Sequence, residues 1–188
     1  SKLLESIDIR TEAKPFLQEL KNKTNEFIHL VVYDQGEVVY IEKLEGTETL
    51  RTHSRVGKRA QMHCTSVGKA ILANLPENDV LAILDRKGMP AHTDYTITEK
   101  EALLQELKQI RVRGYSLDLE ENEYGITCIA APVFDHLGNA AAAVSISGPT
   151  TRMTKDRLTH LGPMMIQTSQ QLSARLGHLI PVKDEKGS

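Results

Sequence analysis

The sequence predicts an α+β domain in which antiparallel strands pack against helices. Three observations carry this prediction: a β-hairpin near the C-terminal third, a run of strand-like segments near the N-terminus, and several helices with recognisable capping residues. The chain has 188 residues, of which 40% are hydrophobic and 26% charged. This length and composition are typical of one globular domain with a substantial core.

The hairpin is predicted from two apolar runs, 126–134 and 139–147, that flank the tetrad Asp135-His136-Leu137-Gly138. The tetrad suits a type I turn, because Asp is favoured at its first position and Gly accepts a positive φ. Six alanines give the two strands little side-chain volume: Ala130, Ala131, Ala140, Ala141, Ala142 and Ala143. Small side chains leave space against one face of the sheet.

The same strands carry the polar residues Cys128, Ser145 and Ser147. Space combined with a few polar groups is typical of a small-molecule pocket. The alternative is that these are ordinary alanine-rich strands beneath a helix. A shared pocket needs Cys128 and Ser145 on one face, so we predict an odd register in which residue 128 lies opposite residue 145.

Before the hairpin, a helix is predicted over 12–25, since Thr11 suits its N-cap and apolar residues recur along one side. Two strands follow, at 27–34 and 38–44, around a short turn. A third, more polar strand is predicted over 49–56. Together these three segments suggest a meander.

The segment HCTSVGKAILANLPE begins another helix, in which Thr65 or Ser66 is the cap and Val67–Leu75 the body. Its short side chains leave the first backbone N–H groups accessible to a carboxylate or a phosphate. The alternative is an ordinary capped helix. We interpret Lys69 as a surface or salt-bridging lysine, because the segment lacks the glycine spacing of a P-loop.

Further helices are predicted over 77–85, over 98–113 and from Thr154 to 176, and a short strand over 115–119. An acidic cluster follows that strand: Asp118, Glu120, Glu121 and Glu123. Such a cluster could bind a divalent cation or provide a general base, but its spacing matches no cation loop that we can justify and acidic runs are usually solvated. Asp118 remains a candidate because it lies on the strand before the hairpin.

Composition excludes several classes of function. A net charge of −2 argues against direct binding of a phosphate backbone by this chain. No apolar run reaches the roughly 18 residues of a membrane span, and no signal-peptide segment is present, so we predict a cytoplasmic protein without membrane contact. Two cysteines form no disulfide framework, and the seven histidines include no i, i+4 pair on a helix and no Cys/His cluster. We therefore predict no metal and no cofactor.

Three motifs, HCTSVGKAIL, RGYSLDLEENEYGITCIAAPVFDHLG and AVSISGPTTRMT, resemble the effector-binding domain of the IclR family of bacterial transcriptional regulators. The resemblance covers roughly Thr11 to Gly177. It implies a GAF-like domain with a curved antiparallel sheet flanked by helices, which forms a homodimer or a homotetramer. In the whole protein, it implies a preceding winged helix-turn-helix that binds DNA and is absent from this chain. Residues 1–10 would then end a linker, 11–180 form the domain, and 181–188 be a disordered tail or a cloning remnant.

The resemblance also implies a small organic acid as effector, bound between the sheet and the short-chained helix start. The family pattern assigns the effector site to Ser66, Val67, Asp118, Ile126, Cys128, Ser145 and Ser147, with Thr52 as a further polar position. The amides at Ser66 and Val67 would meet the carboxylate. Ser66 departs from the family, which often has Ala or Gly there, and Thr52 stands where other members carry a larger apolar residue.

We therefore predict a ligand-sensing domain, without catalysis, of a regulator that represses a catabolic operon. Its polar candidate residues and its few aromatics, three Phe, five Tyr and no Trp, favour a sugar acid or a keto acid over benzoates and dicarboxylates. One alternative is an enzyme with Cys64 or Cys128 as nucleophile and His63, His29 or Asp118 as its partner. This alternative is disfavoured because His63 and Cys64 are adjacent in the sequence, and adjacent side chains on an extended chain point apart. The other alternative is a pure dimerisation module.

Overall fold

The computed structural model describes residues 2–46 and 54–179. Within them, five helices accompany one antiparallel sheet of six strands. The elements are α1 (Lys2–Thr24), β1 (Phe27–Asp34), β2 (Glu37–Leu44), β3 (Arg59–Ala60), α2 (Ser66–Leu72), α3 (Glu77–Lys87), α4 (Lys100–Arg113), β4 (Ser116–Leu119), β5 (Ile126–Phe134), β6 (Ala140–Pro149) and α5 (Lys155–Arg175). The strand order is β3-β2-β1-β6-β5-β4. This arrangement confirms the predicted α+β class with an antiparallel sheet flanked by helices.

The hairpin of β5 and β6 forms where it was predicted, with Gly138 at a φ of +79° in the turn. Cys128 pairs with Ser147, and Ala130 pairs with Ser145. The register is therefore odd, as predicted, and Cys128 and Ser145 share a face. The predicted pairing of residue 128 with residue 145 is wrong by two residues along β6.

Two bulges help the sheet to curve, one between β1 and β2 at Leu30/Val31 and one between β5 and β6 at Val133/Phe134. A bulge inserts one extra residue on one strand, which bends that strand and increases the local twist. The second bulge also changes the hairpin from the even pairing at Phe134↔Ala140 to the odd pairing that begins at Val133↔Ala142. It thereby decides which side chains face the pocket.

The sheet separates two apolar clusters, because successive side chains along a strand point to opposite faces. On one face, α1 and α5 cover Ile28, Leu30, Ile129 and Ile146. On the other face, helices α2 to α4 cover Val31, Val38 and the small residues Ala130 and Ala143. The small residues allow α2 to lie close to the middle of the sheet. A helix therefore fills the space beside Ala130 and Ala143, which is the alternative to a pocket at these alanines.

A buried ion-pair cluster ties the start of β1 to α5. Glu26 is 1% exposed and accepts from Arg152 at 2.6 and 2.8 Å, and from Arg157. Burial acts to raise the pKa of Glu26, but the hydrogen bonds and charges of the two arginines outweigh it, so the pKa lies below its ordinary value.

The two largest differences from the predicted elements lie in the N-terminal part of the chain. Helix α1 begins at Lys2, ten residues before the predicted start at 12. Of the third predicted strand, residues 49–53 lie outside the described part of the chain, and 54–56 form no strand, since a turn with Gly57 at a φ of +89° precedes the short β3. Across residues 2–46 and 54–179, no helix combines the length and apolar character needed to cross a membrane.

Candidate functional site

A pocket lies between the start of α2, the polar end of the sheet and the segment after β4. It encloses about 410 Å³, including the space that is open to solvent. Its walls are formed by Tyr40, Ser54, Thr65, Ser66, Val67, Asp118, Asn122, Glu123, Ile126, Cys128 and Ser145. The pocket therefore combines hydroxyls and carboxylates with a few apolar side chains, and its polar groups can fix the orientation of a small ligand.

The start of α2 provides backbone donors to this pocket. Of the first four N–H groups of the helix, that of Gly68 donates to the Thr65 hydroxyl and that of Lys69 to the Thr65 carbonyl. The remaining two belong to Ser66 and Val67, which both line the pocket. A Cβ on Gly68 would lie 2.4 Å from the Cα of Met62, so only glycine allows the segment before α2 to pack this closely.

The floor of the pocket is the face of the sheet that carries Ser145 and Cys128. Ser147 shares this face but does not line the pocket; its hydroxyl lies 3.0 Å from the Cys128 sulfur and 3.4 Å from His29 Nδ1. His29 pairs with Ser145 across β1 and β6, and its Nε2 lies 2.8 Å from the Ser54 hydroxyl. Burial, with the charge of Lys43, lowers the pKa of His29 to about 3. His29 is therefore a neutral link in a chain of hydrogen bonds beneath the pocket.

The acidic side of the pocket is organised by a buried lysine. Lys69 is 1% exposed, and its Nζ lies 2.8 Å from Glu121 Oε1 and 3.8 Å from Glu106 Oε1. The backbone N–H of Glu121 donates to Asp118 at 2.7 Å. Lys69 was predicted to be either a surface lysine or a salt-bridging one; the surface position is wrong, and the salt bridge is confirmed.

Asp118 lines the pocket while its side chain is buried. Burial, together with the charge of Glu121, raises the pKa of Asp118 to about 7, although the backbone hydrogen bond and the charge of Lys69 act in the opposite direction. Near neutral pH this carboxyl therefore exists in both protonation states. It can accept a hydrogen bond from a ligand hydroxyl, or donate one to a ligand oxygen.

The structure brings together most of the residues that the sequence assigned to the site. Ser66, Val67, Asp118, Ile126, Cys128 and Ser145 all line the pocket. Ser147 lies beside it, and Thr52 falls outside the described residues. Sequence reasoning missed Tyr40, Ser54, Thr65, Asn122 and Glu123 as lining residues. A signal existed for Tyr40, since strand alternation places it on the same face as Val38.

The cysteine environments do not suit a nucleophile. Burial, with the charges of Asp118 and Glu121, raises the pKa of Cys64 to about 12. Burial also raises the pKa of Cys128. Both side chains are thus thiols near pH 7, whereas nucleophilic catalysis by cysteine needs the thiolate.

A cluster of potential ligand atoms lies next to the pocket and contradicts the statement that no Cys/His cluster exists. One ligand atom from each of His63, Cys64 and His92 lies within 4.8 Å of the other two. Spacing along the sequence does not reveal this cluster, because His92 lies on the loop between α3 and α4, far along the chain from His63 and Cys64. His63 and Cys64 converge because their segment is bent rather than extended.

Comparison with known proteins identifies similar chains. The family described as "Bacterial transcriptional regulator IclR C-terminal" matches residues 1–174. The HTH-type transcriptional regulator XynR of Escherichia coli K12 is 40% identical over 173 residues, which cover 92% of this chain and 69% of XynR. The transcriptional repressor IclR of the same strain is 36% identical, with coverage of 94% and 65%. The crystal structure of the Thermotoga maritima IclR has a TM-score of 0.88 at 37% identity, with coverage of 90% and 69%.

The chain thus spans about two thirds of the length of these relatives. The family and the named relatives are transcriptional regulators and not enzymes. The prediction of a non-catalytic domain is therefore confirmed by the relatives, and the cysteine-enzyme alternative is set aside.

Proposed function

Because the chain belongs to the IclR family of bacterial transcriptional regulators, as a ligand-binding regulatory domain, we propose that it senses a small hydroxylated monocarboxylate. A sugar acid or a keto acid is the favoured class. The whole protein would be a repressor of a catabolic operon, and its DNA contacts would come from a winged helix-turn-helix outside this chain. We further propose that the domain forms a homodimer or a homotetramer.

The observation that carries the effector proposal is the opposite chemistry of the two sides of the pocket. The start of α2 contributes two backbone N–H groups, at Ser66 and Val67, and the Ser66 hydroxyl, and the floor contributes the Ser145 hydroxyl. All of these groups can donate to a carboxylate, and donation to a charged acceptor is stronger than a neutral hydrogen bond. This side therefore favours the acid group of the ligand.

The other side carries the carboxyl groups of Asp118 and Glu123 and the amide of Asn122. These groups accept hydrogen bonds from hydroxyls, but an ionised carboxylate repels a second acid group. The arrangement therefore supports a hydroxylated monocarboxylate over a dicarboxylate. Ser147 contributes in this proposal by holding Cys128 and His29 in place beneath the ligand.

The size and composition of the pocket support a compact ligand. Its 410 Å³ includes space that is open to solvent, so the enclosed part is smaller still. Tyr40 is the one aromatic residue among the described residues that line it. Most of the residues that line the pocket have polar side chains, so we expect a benzoate, which needs a flat apolar slot, to fit less well.

A panel of acids tests this proposal. Thermal-shift measurements and calorimetry on the chain would compare gluconate, pyruvate, benzoate and succinate, with each acid also checked for turnover. We expect stabilisation by gluconate or pyruvate, weaker effects of benzoate and succinate, and no turnover. Stabilisation by none of a broader acid set would favour the dimerisation module, and a clear preference for benzoate would contradict the proposed effector class.

A further inference from the structure

His29 lies beneath the effector pocket without lining it, at the centre of a hydrogen-bonded network that reaches the pocket at both ends. Its side chain is buried, at 3% exposure. Nε2 lies 2.8 Å from Oγ of Ser54, and Nδ1 lies 3.4 Å from Oγ of Ser147. The Ser147 hydroxyl lies 3.0 Å from the sulfur of Cys128. Ser54 and Cys128, the two ends of this His29 network, both line the pocket.

The direction of the hydrogen bonds in the His29 network follows from a count of protons. The Ser147 hydroxyl donates its one proton to the Cys128 sulfur, so its oxygen can only accept from His29 and Nδ1 carries the ring proton. The ring has a single proton, because burial and the charge of Lys43 lower the pKa of His29 to about 3. Nε2 is therefore unprotonated, and the Ser54 hydroxyl donates to it.

Ser54 is held in place through both its side chain and its backbone. Its hydroxyl donates to His29, and its carbonyl oxygen accepts from Nζ of Lys43 at 2.9 Å. The His29 ring is itself oriented by Tyr40, whose ring meets it edge-on with the centroids 5.3 Å apart. Because the one hydroxyl proton of Ser54 is used on His29, its oxygen can accept a hydrogen bond from a ligand but cannot donate one.

We propose that His29 is a positioning residue that makes Ser54 an acceptor, so that the pocket selects a hydroxy acid over the keto acid with the same carbon skeleton. This inference rests on the proposed function and separates two ligand classes within it. A hydroxyl of the ligand donates to the Ser54 oxygen. A keto oxygen only accepts, so it would face the Ser54 oxygen with no proton between them. A site built to pair with a hydroxyl rejects analogues that lack it, because its own polar group is then left unpaired.

The tautomer of His29 can be measured without any ligand. In the chain labelled with ¹⁵N-histidine, the chemical shifts of the two ring nitrogens distinguish a protonated nitrogen from an unprotonated one. We expect a protonated Nδ1 and an unprotonated Nε2 for His29 near pH 7. Ser147→Ala removes the acceptor of the Nδ1 proton, so the proton should move to Nε2. A residue that only fills space would not show this change of tautomer.

Two matched pairs of acids test the consequence for binding: lactate against pyruvate, and gluconate against 2-ketogluconate. The members of each pair differ only in a hydroxyl or a keto group next to the carboxylate. In calorimetry, we expect the hydroxy acid of the pair that binds to have the higher affinity by about two- to tenfold, the effect of one hydrogen bond.

Three variants connect this preference to the His29 network. Ser54→Ala should lose the preference, because the acceptor is removed. Ser147→Ala should narrow it, because a proton on Nε2 allows the Ser54 hydroxyl to donate to a keto oxygen. Thr159→Ala, which removes an exposed hydroxyl on α5, is the matched control and should keep the preference of the parent.

Several results would overturn this inference alone: a protonated Nε2 of His29 in the parent, a keto acid that binds as tightly as its hydroxy partner or more tightly, or a preference that survives in Ser54→Ala. Each of them leaves the proposed function standing, since an acid still binds. Absence of binding by every acid of the panel and of the two pairs would instead contradict the proposed function, and this inference with it.

Discussion

Replacing Lys69 by Met should destabilise the domain strongly, because it removes the cation at the centre of a buried acidic network. The two side chains have similar length and volume, so the change removes charge with little loss of packing. Glu121, whose side chain is 9% exposed, would lose its partner at 2.8 Å, and the buried Asp118 would lose a nearby positive charge. Removing one partner of a buried ion pair leaves the other charge uncompensated.

The expected loss is about 3–5 kcal/mol, the cost of breaking a buried ion pair. A domain of this kind has a free energy of unfolding of about 5–15 kcal/mol, so the loss is a large fraction of the total. Lys69 is also one of the groups that lower the pKa of Asp118, so the variant should raise that pKa further. Adding Glu121→Gln to Lys69→Met should recover part of the stability, because the unpaired charge is then removed.

Urea unfolding followed by circular dichroism measures these differences directly. Lys100→Met is the matched control. Lys100 is half exposed, and its Nζ lies 3.4 Å from Oδ1 of Asp85, which is exposed. An exposed ion pair contributes about 0–1 kcal/mol, so this variant should remain close to the parent. A loss below about 1 kcal/mol in Lys69→Met, similar to that of the control, would refute the reasoning from burial.

Three further predictions concern the pocket and the ion-pair cluster. Ser145→Ala should weaken binding of the preferred acid by about 1.5–3 kcal/mol in calorimetry, whereas Ser147→Ala should lower the free energy of unfolding by about 0.5–1.5 kcal/mol and change affinity little. Wild-type protein should bind succinate more tightly at pH 6 than at pH 8, because Asp118, with a pKa of about 7, is mostly protonated at the lower pH and no longer repels the second acid group; Asp118→Asn should lose this dependence. Glu26→Gln should destabilise by about 1–3 kcal/mol at pH 7, less than a fully buried pair because its arginine partners are partly exposed. Since the pKa of Glu26 lies below its ordinary value of 4.5 in the fold, this difference should shrink as the pH falls below 4.5.

Each of these predictions has an outcome that contradicts it. Equal affinities of the parent and Ser145→Ala would remove that hydroxyl from the site. Succinate affinity that is constant with pH, or that rises with pH, would show that Asp118 does not face the ligand. A Glu26→Gln variant as stable as the parent at pH 7 would mean that the desolvation of the carboxylate cancels its ion pairs.

The hairpin could be predicted from the sequence because its signals are local. The tetrad before Asn139 specifies the turn, and the apolar runs on either side specify two strands. The pairing partner of Cys128 could not be predicted, because it depends on the bulge at Val133/Phe134. A bulge is a response to packing around the whole sheet and leaves no clear mark in the local sequence.

The site was predictable where its residues lie on recognisable elements, as Ser66, Cys128 and Ser145 do. It was not predictable where the topology brings distant segments together. Tyr40 lines the pocket although β1 lies between its strand, β2, and β6 in the sheet. Lys69 is buried because Glu121, 52 residues away, lies 2.8 Å from it. Neither arrangement follows from local patterns in the chain.

A crystal structure of the chain with the acid that binds most tightly in the panel would show where the carboxylate of the effector lies. We expect one carboxylate in the pocket, with its oxygens about 2.7–3.2 Å from the backbone nitrogens of Ser66 and Val67. The ligand hydroxyls would face Asp118, and the Ser145 hydroxyl would donate to the same carboxylate. A carboxylate bound elsewhere, or turned towards Asp118, would rule out the proposed effector site.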